Sequence, residues 1–138
     1  MAGEAAAEGE VIMLDAASGR VTQSARVVYL VLLTAAPNDA TTMATMTELT
    51  TPATNGYDRE IVVFDLPAGD PSETENDSLI TFGPFTSDLA NVTHVGLVSA
   101  LTGTGGDFVW YWTADVAKDP ANGDSITIAA GAITMTCD

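Results

Sequence analysis

The sequence predicts an all-β protein: an antiparallel β-sandwich, Ig-like or jelly-roll-like, of about seven to nine strands with an extended N-terminal arm. Apolar runs recur at intervals of about 10–15 residues, and Gly, Pro or Asn residues separate them. No segment shows convincing helical periodicity. A length of 138 residues fits one domain with its own core.

The N-terminal part, residues 1–24, differs from the rest of the chain. Residues 1–10 are small and acidic, and we expect a mobile arm that orders against a partner. Residues 10–24 are interpreted as a short hairpin that turns at Ser18 and Gly19. The predicted organisation is therefore an arm and hairpin over residues 1–24, followed by a sandwich domain over residues 25–138.

The sandwich domain begins with the most apolar stretch of the chain, residues 25–37, which its β-branched content and Pro37 mark as a buried strand. Alternation places Val28, Leu30 and Leu32 on one face and Tyr29, Val31 and Leu33 on the other. A long connection over 38–56, with one helical turn at 43–49, leads to a strand at 57–66. An acidic loop at 67–78 and strands at 79–87 and 91–103 follow.

Five consecutive apolar residues, "FVWYW" at 108–112, follow a glycine-rich hairpin loop at 102–107. Strand alternation would place Phe108, Trp110 and Trp112 on one face. Such a face is either core, a subunit contact or a platform for a sugar ring. We favour core or subunit contact, because the chain has few other large side chains. A loop at 118–124 and two short strands around Ala130 and Gly131 complete the fold.

Charge is the strongest compositional signal. The chain has 19 acidic residues and four cations, for a formal net charge of −15. Binding to nucleic acid or to anionic membranes is not expected, because both need cationic contacts. No run of apolar residues is long enough to span a membrane. The N-terminus lacks the cationic and apolar pattern of a signal peptide, so we expect synthesis in the cytoplasm without export.

Residues that carry chemistry are few. His94 is the only histidine and lies in a strand, while Cys137 is the only cysteine, so neither nucleophilic catalysis nor a transition-metal site is expected. We predict that the chain is not an enzyme and needs no cofactor. The acidic loop brings four carboxylates, which are oxygen ligands suited to calcium, into eight residues: Asp70, Glu73, Glu75 and Asp77. We interpret this loop as solvated rather than as a metal site.

Three stretches resemble a group of small β-sandwich virion proteins of tailed phages and related viruses. They are residues 28–39 ("VYLVLLTAAPND"), 55–64 ("NGYDREIVVF") and 91–136, which contains "THVGL" and ends in "AGAITMT". Proteins of this group carry names such as capsid decoration, minor capsid and tail-fibre-like protein. The motifs are structural, and they leave residues 1–24 and 67–78 unexplained. Because Arg59 is one of four cations, we expect a buried or interfacial salt bridge with a neighbouring carboxylate.

The resemblance favours a capsid decoration protein that binds the outer surface of an icosahedral shell and stabilises it. The implied partners are the major capsid protein and further copies of this chain, with a trimer at local threefold positions as one arrangement. Residues expected to contact the capsid or another subunit are Glu4, Glu8, Glu10, Val11, Ile12, Met13, Arg59, Trp110, Tyr111 and Trp112.

A tail or head fibre module that recognises a host surface glycan is the alternative. It would use Trp110, Tyr111, Trp112 and the loop at 102–107. A cellular surface domain is disfavoured because no export signal is found.

Overall fold

The computed structural model describes residues 1, 3–21 and 24–137 of the chain. Within these residues the chain forms nine strands and one helix. In chain order they are β1 (Gly3–Ala5), α1 (Ala7–Ala17), β2 (Val28–Leu33), β3 (Glu60–Val62), β4 (Ser72–Glu75), β5 (Ile80–Phe82), β6 (Val92–Val98), β7 (Phe108–Lys118), β8 (Ile126–Ile128) and β9 (Thr134–Cys137).

The strands form one large and two small antiparallel sheets. The large sheet has the order β1-β7-β6-β2-β3, while β4 pairs with β9 and β5 pairs with β8. The small sheets cover one face of the large sheet, since Phe82, Ile128 and Ile133 share a buried cluster with Leu30 and Trp112. The prediction of an all-β antiparallel sandwich with seven to nine strands is confirmed.

Both faces of the large sheet are apolar, as the pattern of β2 predicts. Leu30 and Leu32 lie on the inner face, which we define as the face toward the small sheets. Val31 and Leu33 lie on the opposite, outer face, where Met43 from the 34–56 connection covers them. A strand buried on both sides shows a continuous apolar run instead of alternation, which explains the sequence of residues 28–33.

An irregularity in β7 divides its aromatic side chains between the two faces. Leu97 of β6 is opposite Trp110, but Val98 is opposite Phe108, so Val109 is an extra residue in β7. A β-bulge of this kind shifts the alternation by one position. Trp110 and Trp112 therefore pack in the inner cluster and Phe108 in the outer one. The prediction that all three rings share one face was wrong for Phe108.

Two further predicted segments differ in the structure. Residues 10–24 do not form a hairpin, because Ala7–Ala17 is helical and Ser18 caps the helix with its backbone N–H. Residues 22 and 23, in the second strand of that hairpin, lie outside the described residues. The segment 67–78 is not only a loop, since Ser72–Glu75 is a strand paired with β9. Glu73 and Glu75 hid this strand, because β4 is mostly exposed and its sequence lacks the apolar residues typical of strands.

Gly96 on β6 leaves the space that the Phe108 ring occupies. A Cβ atom at position 96 would lie 2.7 Å from Cε2 of Phe108 and 2.9 Å from Cγ2 of Val31. Both neighbours are fully buried and cannot move away. We predict that Gly96→Ala lowers the free energy of unfolding by about 1–3 kcal/mol, as overpacking of a core does. Urea unfolding followed by tryptophan fluorescence measures the change.

The matched control for this prediction is Gly105→Ala in the 102–107 loop. No atom lies within 4 Å of a Cβ built at Gly105, so its substitution should change stability by less than about 0.5 kcal/mol. Equal stability of the two variants would contradict the packing role of Gly96.

Candidate functional site

Two predicted contact residues of the N-terminal segment, Glu4 and Glu8, form hydrogen bonds with β7. β1 adds to the edge of the large sheet in antiparallel register, with Glu4 opposite Tyr111 and Ala5 opposite Trp110. The Tyr111 hydroxyl donates a hydrogen bond of 2.8 Å to Oε2 of Glu4. This bond to a carboxylate raises the pKa of Tyr111 to about 12. Residues 3–5, which were expected to belong to a mobile arm, are thus an edge strand of the large sheet.

The start of α1 is fastened to the bulge in β7. The Ala6 N–H donates to the Val109 carbonyl at 3.0 Å, and the Phe108 N–H donates to Oε2 of Glu8 at 2.6 Å. The Ala7 N–H also donates to the Asp39 carbonyl at 3.0 Å. A bulge leaves backbone groups without ladder partners. Here the N-terminal segment supplies those partners, which fixes where the helix begins.

Gly9 allows the helix to touch the sheet directly. A Cβ atom at this position would lie 2.1 Å from the Val109 carbonyl oxygen, which is closer than any side chain tolerates. Glycine inside a helix costs roughly 0.5–1 kcal/mol relative to alanine. The close approach of helix and strand backbones is the physical reason for glycine here.

The solvent-facing side of α1 carries exposed apolar residues. Val11 is 57% exposed and Leu14 is 68% exposed, while Met13 is 38% exposed. Ile12 is half-buried and Glu10 is exposed. Leu14 was missed among the predicted contact residues. The spacing of Val11 and Leu14, three residues apart, is the helical signal that would have found it.

The two tryptophans of β7 are core residues. Trp112 is fully buried and its Nε1 donates a hydrogen bond of 2.7 Å to the Thr134 carbonyl on β9. Trp110 is 7% exposed. Trp112 is therefore enclosed in the core, whereas Trp110 also lines an apolar pocket beside α1, and contact of either residue with a partner stays a prediction.

Arg59, one of only four cations in the chain, forms the buried salt bridge that was predicted for it. The fork is bidentate: Nε donates to Oε1 of Glu48 at 2.9 Å and Nη2 donates to Oε2 at 2.7 Å. Nη1 donates to the Ala100 carbonyl at 2.8 Å. The Arg59 residue is only 3% exposed. Its contacts lie within the chain, and its role as a contact to another subunit stays a prediction.

Tyr57 completes this buried network. Its hydroxyl donates to Oε1 of Glu48 at 2.8 Å and accepts the Leu32 N–H at 3.2 Å. Burial and the neighbouring Glu48 raise the pKa of Tyr57 above its usual value. Hydrogen bonding to Glu48 likewise raises the pKa of Arg59. The network holds the 34–56 connection, β2 and the β6–β7 hairpin together.

The acidic residues considered for calcium do not converge. Glu73 and Glu75 lie on β4, whereas Asp70 precedes the strand and Asp77 follows it. Oε2 of Glu73 accepts a hydrogen bond of 3.3 Å from the Thr136 hydroxyl. Among the described residues, no group of three His, Cys, Asp or Glu side chains is placed to hold a metal ion.

The single histidine and the single cysteine lie on different sheets. His94 on β6 is half-buried and its Nδ1 is 2.8 Å from the Thr93 hydroxyl. Cys137 ends β9 and is exposed. They form no nucleophile–base pair. In the part of the chain that the structure describes, no helix is long and apolar enough to cross a membrane.

We predict that Glu48→Gln lowers the free energy of unfolding by about 3–5 kcal/mol, because it leaves the Arg59 guanidinium buried without a counter-charge. Chemical unfolding measures the loss. The matched control is Glu60→Gln on β3. Burial and the neighbouring Asp58 raise the pKa of Glu60, so its negative charge is already disfavoured in the folded state and its removal should cost little stability. A loss for Glu48→Gln no larger than for Glu60→Gln would rule out a structural role of the ion pair.

His94 gives a pH test of the outer face. Burial lowers the pKa of His94 below its usual value of 6.5. The unfolded chain therefore binds the proton more readily than the folded chain does. We expect stability to be highest above about pH 6.5 and to decrease as pH falls toward the folded-state pKa. NMR titration of this single imidazole should give a midpoint below 6.5 when folded and near 6.5 in urea. A folded midpoint at or above 6.5 contradicts the buried setting.

Comparison with known families supplies the identity that the geometry does not. A search of curated proteins finds no match. The family described as podophage GP4 fiber I protein gp80 matches residues 6–136, which is nearly the whole chain. The predicted resemblance to phage virion structural proteins is confirmed at that level, and the narrower capsid decoration group is not shown. The chain belongs to the podophage GP4 fiber I protein gp80 family.

Proposed function

We propose that this phage virion structural protein is a subunit of a virion fibre and has no catalytic role. The observation that carries the proposal is the family match over residues 6–136, whose description names a fibre protein. The sandwich supports this proposal, because its large apolar side chains form two packed hydrophobic cores, as in a structural protein. Charge supports an outward position as well, because a net charge of −15 repels packaged nucleic acid.

Glycan recognition by the aromatic strand is not part of this proposal. Trp112 is fully buried and Trp110 is 7% exposed at the wall of a recess, so neither ring offers the open stacking surface considered for a sugar. The proposed role is therefore mechanical, as a repeated building unit held by contacts with its neighbours.

Capsid decoration was the favoured prediction from sequence, with the major capsid protein as partner and the outer capsid surface as location. It shares with the fibre proposal a non-enzymatic all-β subunit exposed on the virion. The family description favours the fibre. The two functions differ in location and in copy number per particle.

Immunogold electron microscopy of purified virions tests the proposal. We expect gold on fibres and a copy number, from quantitative mass spectrometry, well below that of the major capsid protein. Antibody preabsorbed with the purified protein is the control. Gold spread over the icosahedral shell, with a copy number approaching that of the capsid protein, would overturn the fibre proposal in favour of decoration.

A further inference from the structure

An apolar pocket of about 320 Å³ lies between α1, the inner face of the large sheet and the β4–β9 sheet. Ile12 and Met13 line it from the helix, Trp110 and Phe64 from the sheet side, and Met135 from β9. Its volume is within the range of about 300–1,000 Å³ that bound small ligands occupy. The pocket reaches the surface beside the exposed part of the helix.

The lining of this pocket is unusual for so acidic a chain. Among the described residues that line it, none is Asp, Glu, Lys or Arg, although 17% of the chain is charged. The lining residues that carry a hydroxyl are Ser72, Thr74 and Thr136. The lining of this surface recess is therefore uncharged.

The apolar surface continues from the pocket onto the helix. Met13 both lines the pocket and is 38% exposed, and Val11 and Leu14 beside it are more exposed still. In a monomer in water, an apolar pocket next to three exposed aliphatic or thioether side chains is typical of a contact site for another molecule.

Two carboxylates adjoin residues that line the recess. Glu10 follows the lining residue Gly9 and is exposed on the helix. Glu73 lies between the lining residues Ser72 and Thr74, with its carboxylate against the Thr136 hydroxyl. An apolar centre with an acidic rim complements a ligand that has an apolar centre and cationic flanks. A second copy of this chain, with its own charge of −15, fits poorly.

We propose that this pocket binds large apolar side chains of a basic peptide segment from a neighbouring protein. Lys or Arg residues of the segment pair with Glu10 and Glu73, while its apolar residues fill the space between Met13, Trp110 and Met135. The inference rests on the proposed function only for the origin of the segment, a neighbouring virion subunit.

Selection from a library of random displayed peptides tests the ligand chemistry on the purified full chain. We expect enriched sequences to combine aromatic or aliphatic residues with Lys or Arg. Binding of a selected peptide should change the fluorescence of the two tryptophans, because Trp110 lines the pocket. Added salt should weaken the affinity. Selection of no peptides, or of peptides without cations, would overturn the proposal.

Maleimide treatment of the native protein and of the Cys137→Ser variant locates the binding site. Cys137 is the only cysteine, is exposed and lines the pocket, so a bulky maleimide attached to it should obstruct the pocket without a core substitution. We expect at least tenfold weaker peptide binding after treatment of the native protein. The Cys137→Ser protein treated in the same way should bind normally. Equal affinities would place the peptide elsewhere and overturn the proposal.

Glu10→Gln and Glu73→Gln test the acidic rim. Each should weaken the selected peptide severalfold, and Asp88→Asn, whose residue does not line the pocket, should not. A pocket that takes the neutral dye N-phenyl-1-naphthylamine but selects no basic peptide would be a small-molecule site, which also contradicts the proposal. These binding assays need no virion, so their failure is distinct from mislocalisation of the protein on the particle.

Discussion

The bulge at Val109 is the constraint on which the rest of the structure depends. One extra residue sends Phe108 to the outer face and keeps Trp110 and Trp112 on the inner face, so a single strand supplies both hydrophobic cores. The same irregularity exposes backbone groups that the Ala6 N–H and the Glu8 carboxylate satisfy. Removing the bulge would therefore disturb both cores and detach α1 from its anchor.

Local pattern was enough to predict the regular parts of the fold. The alternation over residues 28–33 correctly divides β2 between two apolar faces, because the neighbouring strands pair with it in regular register. The bulge could not be predicted, since Val109 is an ordinary strand residue and only its pairing with β6 reveals the extra position. A marker such as glycine is absent from "FVWYW" itself.

The N-terminal helix shows how a local signal is overridden. Val11 and Ile12 have side chains that favour strands, and Gly9 disfavours a helix, so the helical spacing of Val11 and Leu14 was outweighed. Within α1, Gly9 is buried and Ile12 is half-buried, while Val11 and Leu14 are exposed, so the helix has no strongly amphipathic period. That the apolar residues of this segment contact a partner stays a prediction, and their arrangement depends on the contact between Gly9 and Val109. Arg59 is similar: its salt bridge was expected, yet its partner Glu48 lies within an irregular connection whose position no periodicity specifies.

Charge and packing together limit how this protein assembles. A chain with a net charge of −15 repels its own copies and packaged nucleic acid, so a stable contact must either carry opposite charge or avoid charge altogether. The recess beside α1 offers both options, because its lining is uncharged and its rim carries Glu10 and Glu73. Its walls are α1, the inner face and β9, and the anchoring of α1 to Val109 fixes the distance between them. The bulge that divides the two cores therefore also shapes the surface best suited to hold a neighbour.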